Sequence, residues 1–156
     1  MTAFVESPEA SYVLLRLGGQ RFAVRAESVE ELAGSSRFQK FPHTTPHVEG
    51  VIVRRKRLIP VRDVATLLIG RPIASHRFYL IVRHRYGVLE EAEAIPVTGD
   101  CELLSGVIPL PMGEGQPEYF AGAIDLAGEQ IPLLDLEKLT AAASRADATV
   151  EAGRPA

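Results

Sequence analysis

Four histidines, one cysteine and two aspartates at equivalent places in a repeat are the residues of this 156-residue chain that could be read as catalytic or metal-binding. His43 and His47 stand four apart, a ligand spacing on one helix face, but Pro42 and Pro46 disfavour that helix. His76 and His84 fall in or beside a predicted strand without a clustered Cys or carboxylate, which suits solvated or turn histidines better than a general base. Cys101, in TGDCELL, has no helix start or basic cluster beside it to lower its pKa, so it reads as a small, semi-buried side chain. Asp63 and Asp135 could be imagined as an acid–base pair contributed by two halves. Each instead precedes a short helical pattern, VATLL or LEKLT, where a carboxylate accepts the free amides of a first turn, and both read as caps. The sequence thus predicts no catalytic residue, no metal ligands and no cofactor.

The conspicuous charge feature is Arg54-Arg55-Lys56-Arg57, with Arg62 beyond it, at a predicted hairpin tip and its outgoing strand. It could be a solvated turn that blunts a strand edge. It could equally anchor a partner, because Arg combines a bidentate charge with a broad contact plane. Glu27, Glu30 and Glu31, and later Glu90, Glu91 and Glu93, are expected on solvated faces.

The elements that carry these residues are written twice. Val48–Leu68 and Phe120–Thr140 align without a gap, and Gly50, Ile52, Ile59, Pro60, Asp63 and Leu67 return as Gly122, Ile124, Ile131, Pro132, Asp135 and Leu139. Each copy predicts a strand, a turn, a strand containing Ile-Pro, and an Asp before a short helix. Pro60 and Pro132 cannot donate a ladder hydrogen bond and are expected at edges, strand starts or bulges. Ahead of each copy lies a hairpin pattern. Tyr12–Leu17, Gly18-Gly19 and Phe22–Val24 form the first, with paired glycines for a tight turn; Phe78–Arg83 followed by Gly87–Leu89 forms a weaker second. Ala26–Leu32 fits either one helical turn or a strand end. Short apolar runs closed by turn signals predict an all-β protein with two curled sheets of about five strands.

Composition sets the remaining bounds. An apolar fraction of 46% supports one substantial core or two small coupled ones. A net charge of −3 offers no general attraction to nucleic acid or anionic lipid. The start MTAFVESPEA lacks the basic and apolar regions of a secretory signal, and no apolar run reaches the ~18 residues of a membrane span, so a cytoplasmic protein without direct membrane contact is expected.

The order YVLLRLGGQRFAV–ESVEEL, then GVIVRRKRLIPVRDV, then GAIDLAGEQIPLLDLEKL resembles the CheW family of chemotaxis adaptors over about residues 11 to 140. The resemblance implies two SH3-like five-stranded β-barrels packed around a shared apolar seam, with short helices including a C-terminal one. It implies a single domain over 11–140 made of two intertwined units, roughly 11–70 and 71–140, with flexible tails at 1–10 and 145–156. It further implies a non-catalytic adaptor that couples chemoreceptors, at their cytoplasmic hairpin tip, to the regulatory domain of the histidine kinase CheA. By position in the family pattern, Val29 and Arg55 would engage the receptor, with Val48, Val51 and Ile52 lining the same groove. The turn at Ala127-Gly128 would face the kinase. The chain departs from the pattern where Lys56 replaces the usual Gly of the turn, Val53 a common Asn, and Glu90-Glu91 a Val-Asp pair. Two alternatives stand beside this reading: a CheW-fold regulator that binds one partner or serves another chemosensory system such as surface motility, and a nucleic-acid-binding barrel that uses the basic turn.

Overall fold

The computed structural model describes residues 10–34, 38–45, 48–73, 78–86 and 89–143, with the backbone alone at 41–45, 48–49, 84–86 and 89–90. Nearly all of the predicted tails, His47 and His76 lie outside the described residues. Strands β1 (Ser11–Leu17) and β2 (Gln20–Arg25) pair around Gly18-Gly19, and Gly18 adopts the left-handed conformation that the sequence requires there (φ 63). A 3-10 turn at Ala26–Ser28 then leads into β3 (Val29–Gly34), so the 26–32 segment is both a helical turn and a strand. Next come β4 (Phe38–Thr45), β5 (Val48–Arg54), β6 (Arg57–Arg62) and helix α1 (Ala65–Ile69). The later strands are β7 (Phe78–Tyr86), β8 (Leu89–Val97), β9 (Glu102–Ser105), β10 (Phe120–Leu126) and β11 (Glu129–Leu134). A second helix, α2, covers 136–143.

Two sheets result, ordered β10-β11-β2-β1-β9 and β3-β7-β8-β6-β5-β4. One has six strands rather than five, because β4 adds an edge beside β5, and neither order closes into a ring. The sheets do not coincide with the two halves of the chain. The opening hairpin β1-β2 joins the β10-β11 hairpin through a parallel contact of Ala23 with Leu133, while β7-β8 joins the β5-β6 hairpin through Ala94 and Val61. Each sheet therefore needs strands from both halves.

Burial explains the near-continuous apolar runs at 12–17 and 78–82. In β1 and β2, Tyr12, Leu14 and Ala23 point into one core with Ile124, Ile131 and Leu133, whereas Leu15, Leu17, Phe22 and Val24 point the other way. The strands β7 and β8 divide likewise: Tyr79, Ile81 and Ala94 pack with Ile52, Ile59 and Val61, while Leu80, Val82, Ile95 and Val97 face the opposite side. Those opposite sides meet, and with Val64, Leu134, Leu136 and Leu139 they form one seam between the sheets. Strands buried on both faces lose the alternation of a one-sided sheet.

The glycines, isoleucines, aspartates and prolines of the repeat now have physical roles. Ile52 faces Ile59, and Ile124 faces Ile131, as fully buried cross-strand pairs that fill the two sheet interiors. Gly50 and Gly122 sit at register shifts where another segment crosses. A Cβ on Gly50 would overlap the carbonyl oxygen of Gln39, and one on Gly122 would lie 2.8 Å from that of Leu110. Asp63 Oδ1 accepts from Ala65 N at 2.9 Å, and Asp135 Oδ1 accepts from Lys138 N at 3.1 Å, so both carboxylates hold first-turn amides of the helices that follow. Pro60 and Pro132 are not on edge strands: β6 and β11 are interior. They are accommodated because the strand on the far side pairs at a single position, one residue later, and no longer ladder needs the missing donor.

A candidate partner-binding groove beneath a basic hairpin

The β5-β6 hairpin turns through Arg55-Lys56, both left-handed at φ 50 and 65, the geometry of a two-residue turn whose twist matches its strands. Its counterpart between β10 and β11 turns through Ala127-Gly128 at φ 52 and 90, with Gly128 N donating to Asp125 Oδ1 at 3.1 Å. The two turns are equivalent in the repeat and unlike in chemistry.

Flanking the first turn, Arg54 and Arg57 are direct cross-strand partners, a like-charge pair that would repel if left alone. Two neighbouring carboxylates of β3 relieve it. Arg54 donates through Nε and Nη2 to Glu31 at 3.0 and 3.1 Å, and Arg57 Nη2 donates to Glu30 at 2.8 Å. Adjacent residues of a regular strand point to opposite faces, but the pairing of β3 with β7 shifts register between Val29 and Glu31, and this irregularity lets both carboxylates address the hairpin. Arg55 approaches Glu31 at 3.6 Å and Arg83 approaches Glu30 at 3.9 Å. The Arg54 hydrogen bonds hold the Glu31 carboxyl below its usual range, and the same bonds raise the Arg54 guanidinium. Glu30 and Glu31 are therefore structural partners of the basic tip, not the solvated face that the sequence suggested.

Under this network lies a cleft of about 490 Å³, lined by Val29, Glu30, Glu31, Arg54, Arg55, Arg57 and Arg83. Val29 and Arg55, distant in sequence, thus come to one surface. Ile52 does not: it is fully buried in the sheet interior and cannot line an open groove. Val51, half-buried, alternates to the other face of β5 from Ile52, and Val48 is described through its backbone pairing with Arg62 and Thr45. Ala127 and Gly128 are exposed at their own turn. Beside them Glu129 pairs with Arg21, which holds the Glu129 carboxyl low. The second hairpin is thus tied to its sheet by charges opposite in sign to those of the first.

Arg62 belongs to neither surface. It lies inward, pairing with the buried Glu93, whose other oxygen accepts the Thr140 hydroxyl of α2 at 3.2 Å. Thus Glu93 joins two β-strands to the last helix rather than facing solvent. Among the described residues no cluster of His, Cys, Asp and Glu could hold a metal. Burial, with the Asp100 charge adding to it, pushes the Cys101 thiol up to about 11, which removes it as a nucleophile near neutral pH.

Residues 11–144 match the CheW-like domain family. The chain belongs to that family. This CheW-like chain is similar to the probable chemotaxis protein CheW of Rhizobium etli, 26% identical over 132 residues that cover 81% of this chain and 84% of that protein. It is 27% identical to the protein FrzA of Myxococcus xanthus over 137 residues, covering 85% and 86%. Among solved structures, the scaffolding protein TtCheW of Thermoanaerobacter tengcongensis superimposes with a TM-score of 0.65 at 19% identity, covering 84% of this chain and 92% of that one. The fold is accordingly the mostly-β CheW-like fold, and the protein is a non-catalytic CheW-like scaffold. No helix of the described residues is long and apolar enough to cross a membrane.

Proposed function

We propose that this CheW-like chain is a cytoplasmic adaptor that couples chemoreceptors to a CheA-type histidine kinase. The groove under the Arg55 turn would face the receptor hairpin tip, and the Ala127-Gly128 turn would face the kinase regulatory domain. The observation that carries this reading is the meeting of Val29 and Arg55 on one cleft, an aliphatic contact with a cationic rim. That combination suits an amphipathic helix, whose apolar stripe lies in the groove while the rim cation fixes register. The two unlike hairpin turns give one small domain two distinct surfaces, as bridging requires. A net charge of −3 and the internal pairing of Arg54 and Arg57 argue against nucleic acid as the partner. The test is capture of the protein by an immobilised kinase regulatory domain and by a receptor signalling fragment. No binding to either at about 50 micromolar refutes the adaptor reading.

One observation favours a second reading, a regulator that keeps the kinase and lacks the receptor. Two of the four cations at the tip are consumed by Glu30 and Glu31, and Lys56 occupies a left-handed position better suited to Gly. Kinase binding without a receptor–kinase ternary complex would select it.

A further inference from the structure

The cleft beneath the basic hairpin is one end of a longer, electrically polarised surface. Arg83 lines that cleft and also a second one of about 300 Å³ that Glu27 and Ser28 line, so the two adjoin. At the hairpin end, four guanidinium groups face two carboxylates. At the other end, Arg25 and Arg83 face three carboxylates, Glu27, Asp135 and Glu137, on a floor that includes Leu134 and Leu136.

Charge at the basic end is incompletely satisfied from within. Arg55 Nη2 reaches Glu31 Oε2 at 3.6 Å, but that oxygen already accepts Arg54 Nη2 at 3.1 Å. The Arg55 side chain is 81% exposed. A carboxylate arriving from outside could take both arms of Arg55, in the bidentate geometry that a shared oxygen cannot offer. Glu31 competes with it, because its charge lowers the potential that an incoming anion meets. At the acidic end, Glu137 is exposed on α2, two residues beyond the Asp135 cap, and Glu27 is exposed on the 3-10 turn.

We infer that the occupant of this surface is an amphipathic helix with its charges segregated, carboxylates at the end lying on Arg55 and cations at the end lying on Glu27 and Glu137, and that Glu31 sets its affinity by competing for Arg55. This rests on the receptor-facing reading of the groove and adds the charge order of the segment that fits. Complementary ends orient the helix and reject one whose charges are mixed, since like charges would then meet at both ends.

The test uses the full chain and two synthetic helical peptides of about 18 residues, ~27 Å long when helical. Both carry the same apolar stripe and the same glutamates and lysines, segregated to opposite ends in one peptide and interleaved in the other. Fluorescence anisotropy at low salt should show the segregated peptide binding about threefold to tenfold tighter, with the difference shrinking as salt rises. Glu31→Gln should tighten the segregated peptide about threefold, and Glu137→Lys, an exposed change independent of the hairpin, should weaken it by a similar factor. Equal affinities for the two peptides, no binding of either, or a preference unmoved by both variants would overturn the inference. Capture of the receptor signalling fragment is measured alongside. If the fragment binds while the peptides are not distinguished, the charge order is wrong and the adaptor reading stands.

Discussion

Replacing Gly50 by Ala tests whether the repeated glycine is there for space. The added Cβ would overlap the Gln39 carbonyl oxygen and fall 3.0 Å from Lys40 Cα, both backbone atoms of β4 that cannot rotate away. Relief requires β4 to separate from β5 at the register shift that begins the basic hairpin. Overpacking of this kind costs about 1–3 kcal/mol and more where backbone must move, against about 0.5–1 kcal/mol gained by restricting the unfolded chain. We therefore expect a net loss of about 2–3 kcal/mol for Gly50→Ala. Gly122→Ala should also cost about 2–3 kcal/mol, because its new Cβ would lie 2.8 Å from the Leu110 backbone oxygen and Gly122 holds φ 159, a conformation that L side chains rarely adopt. Gly19→Ala is the control: nothing lies within 4 Å of its Cβ, and the change should be neutral or slightly stabilising. Urea unfolding reads all three, and with an m-value of about 2 kcal/mol/M the Gly50 variant should unfold at a midpoint ~1–1.5 M lower. A Gly50→Ala midpoint within about 0.2 M of the parent would refute the close-approach argument.

Other outcomes follow from the same structure. Lys56→Gly should stabilise the protein by about 0.5–1 kcal/mol, because Lys56 holds φ 65 where Gly is unstrained; unchanged or lower stability in urea would contradict the turn geometry. Glu93→Ala leaves Arg62 and the Thr140 hydroxyl without their shared carboxylate and should cost about 3 kcal/mol, whereas the Arg62→Met, Glu93→Leu pair should cost much less; equal losses would show that the ion pair is not buried as described. With its pKa raised from 9.0 to about 11, Cys101 should alkylate with iodoacetamide about 100-fold more slowly at pH 8 than an ordinary thiol. The unfolded thiol ionises from pH 9 while the folded one stays protonated, so stability should fall as pH rises from about 9 to 11. A reactivity midpoint below pH 9 would refute the burial of this side chain.

Much of this was legible because the chain repeats itself. The two left-handed positions of Arg55-Lys56 were not legible from their residue types, although the equivalent Ala127-Gly128 turn, with its favourable Gly, adopts the same geometry. Asp63 and Asp135 announced helix starts. The exchange of hairpins between the two sheets was not legible, since Ala23 meets Leu133 and Ala94 meets Val61 across long separations that leave no local pattern. Nor was the role of Glu30 and Glu31: alternation places them on opposite faces, and only the irregularity beside Val29 brings both to the hairpin. Of the groove candidates Val48, Val51 and Ile52 in β5, burial removes Ile52 while keeping it in the fold. The partner of Arg62 was hidden for a related reason, because Glu93 stands in a run of acidic residues typical of a solvent face yet lies 5% exposed.

The most direct test of the account is reconstitution of a ternary complex from this chain, a receptor signalling fragment and the regulatory domain of a CheA-type kinase, measured by co-sedimentation. The wild-type protein should bring receptor and kinase domain down together, and a folded Arg55→Glu variant should retain the kinase domain while losing the receptor fragment. Undiminished receptor capture by that variant, or a wild-type protein that joins the two partners no better than a buffer control, would contradict the adaptor proposal and the place assigned to the groove beneath the basic hairpin.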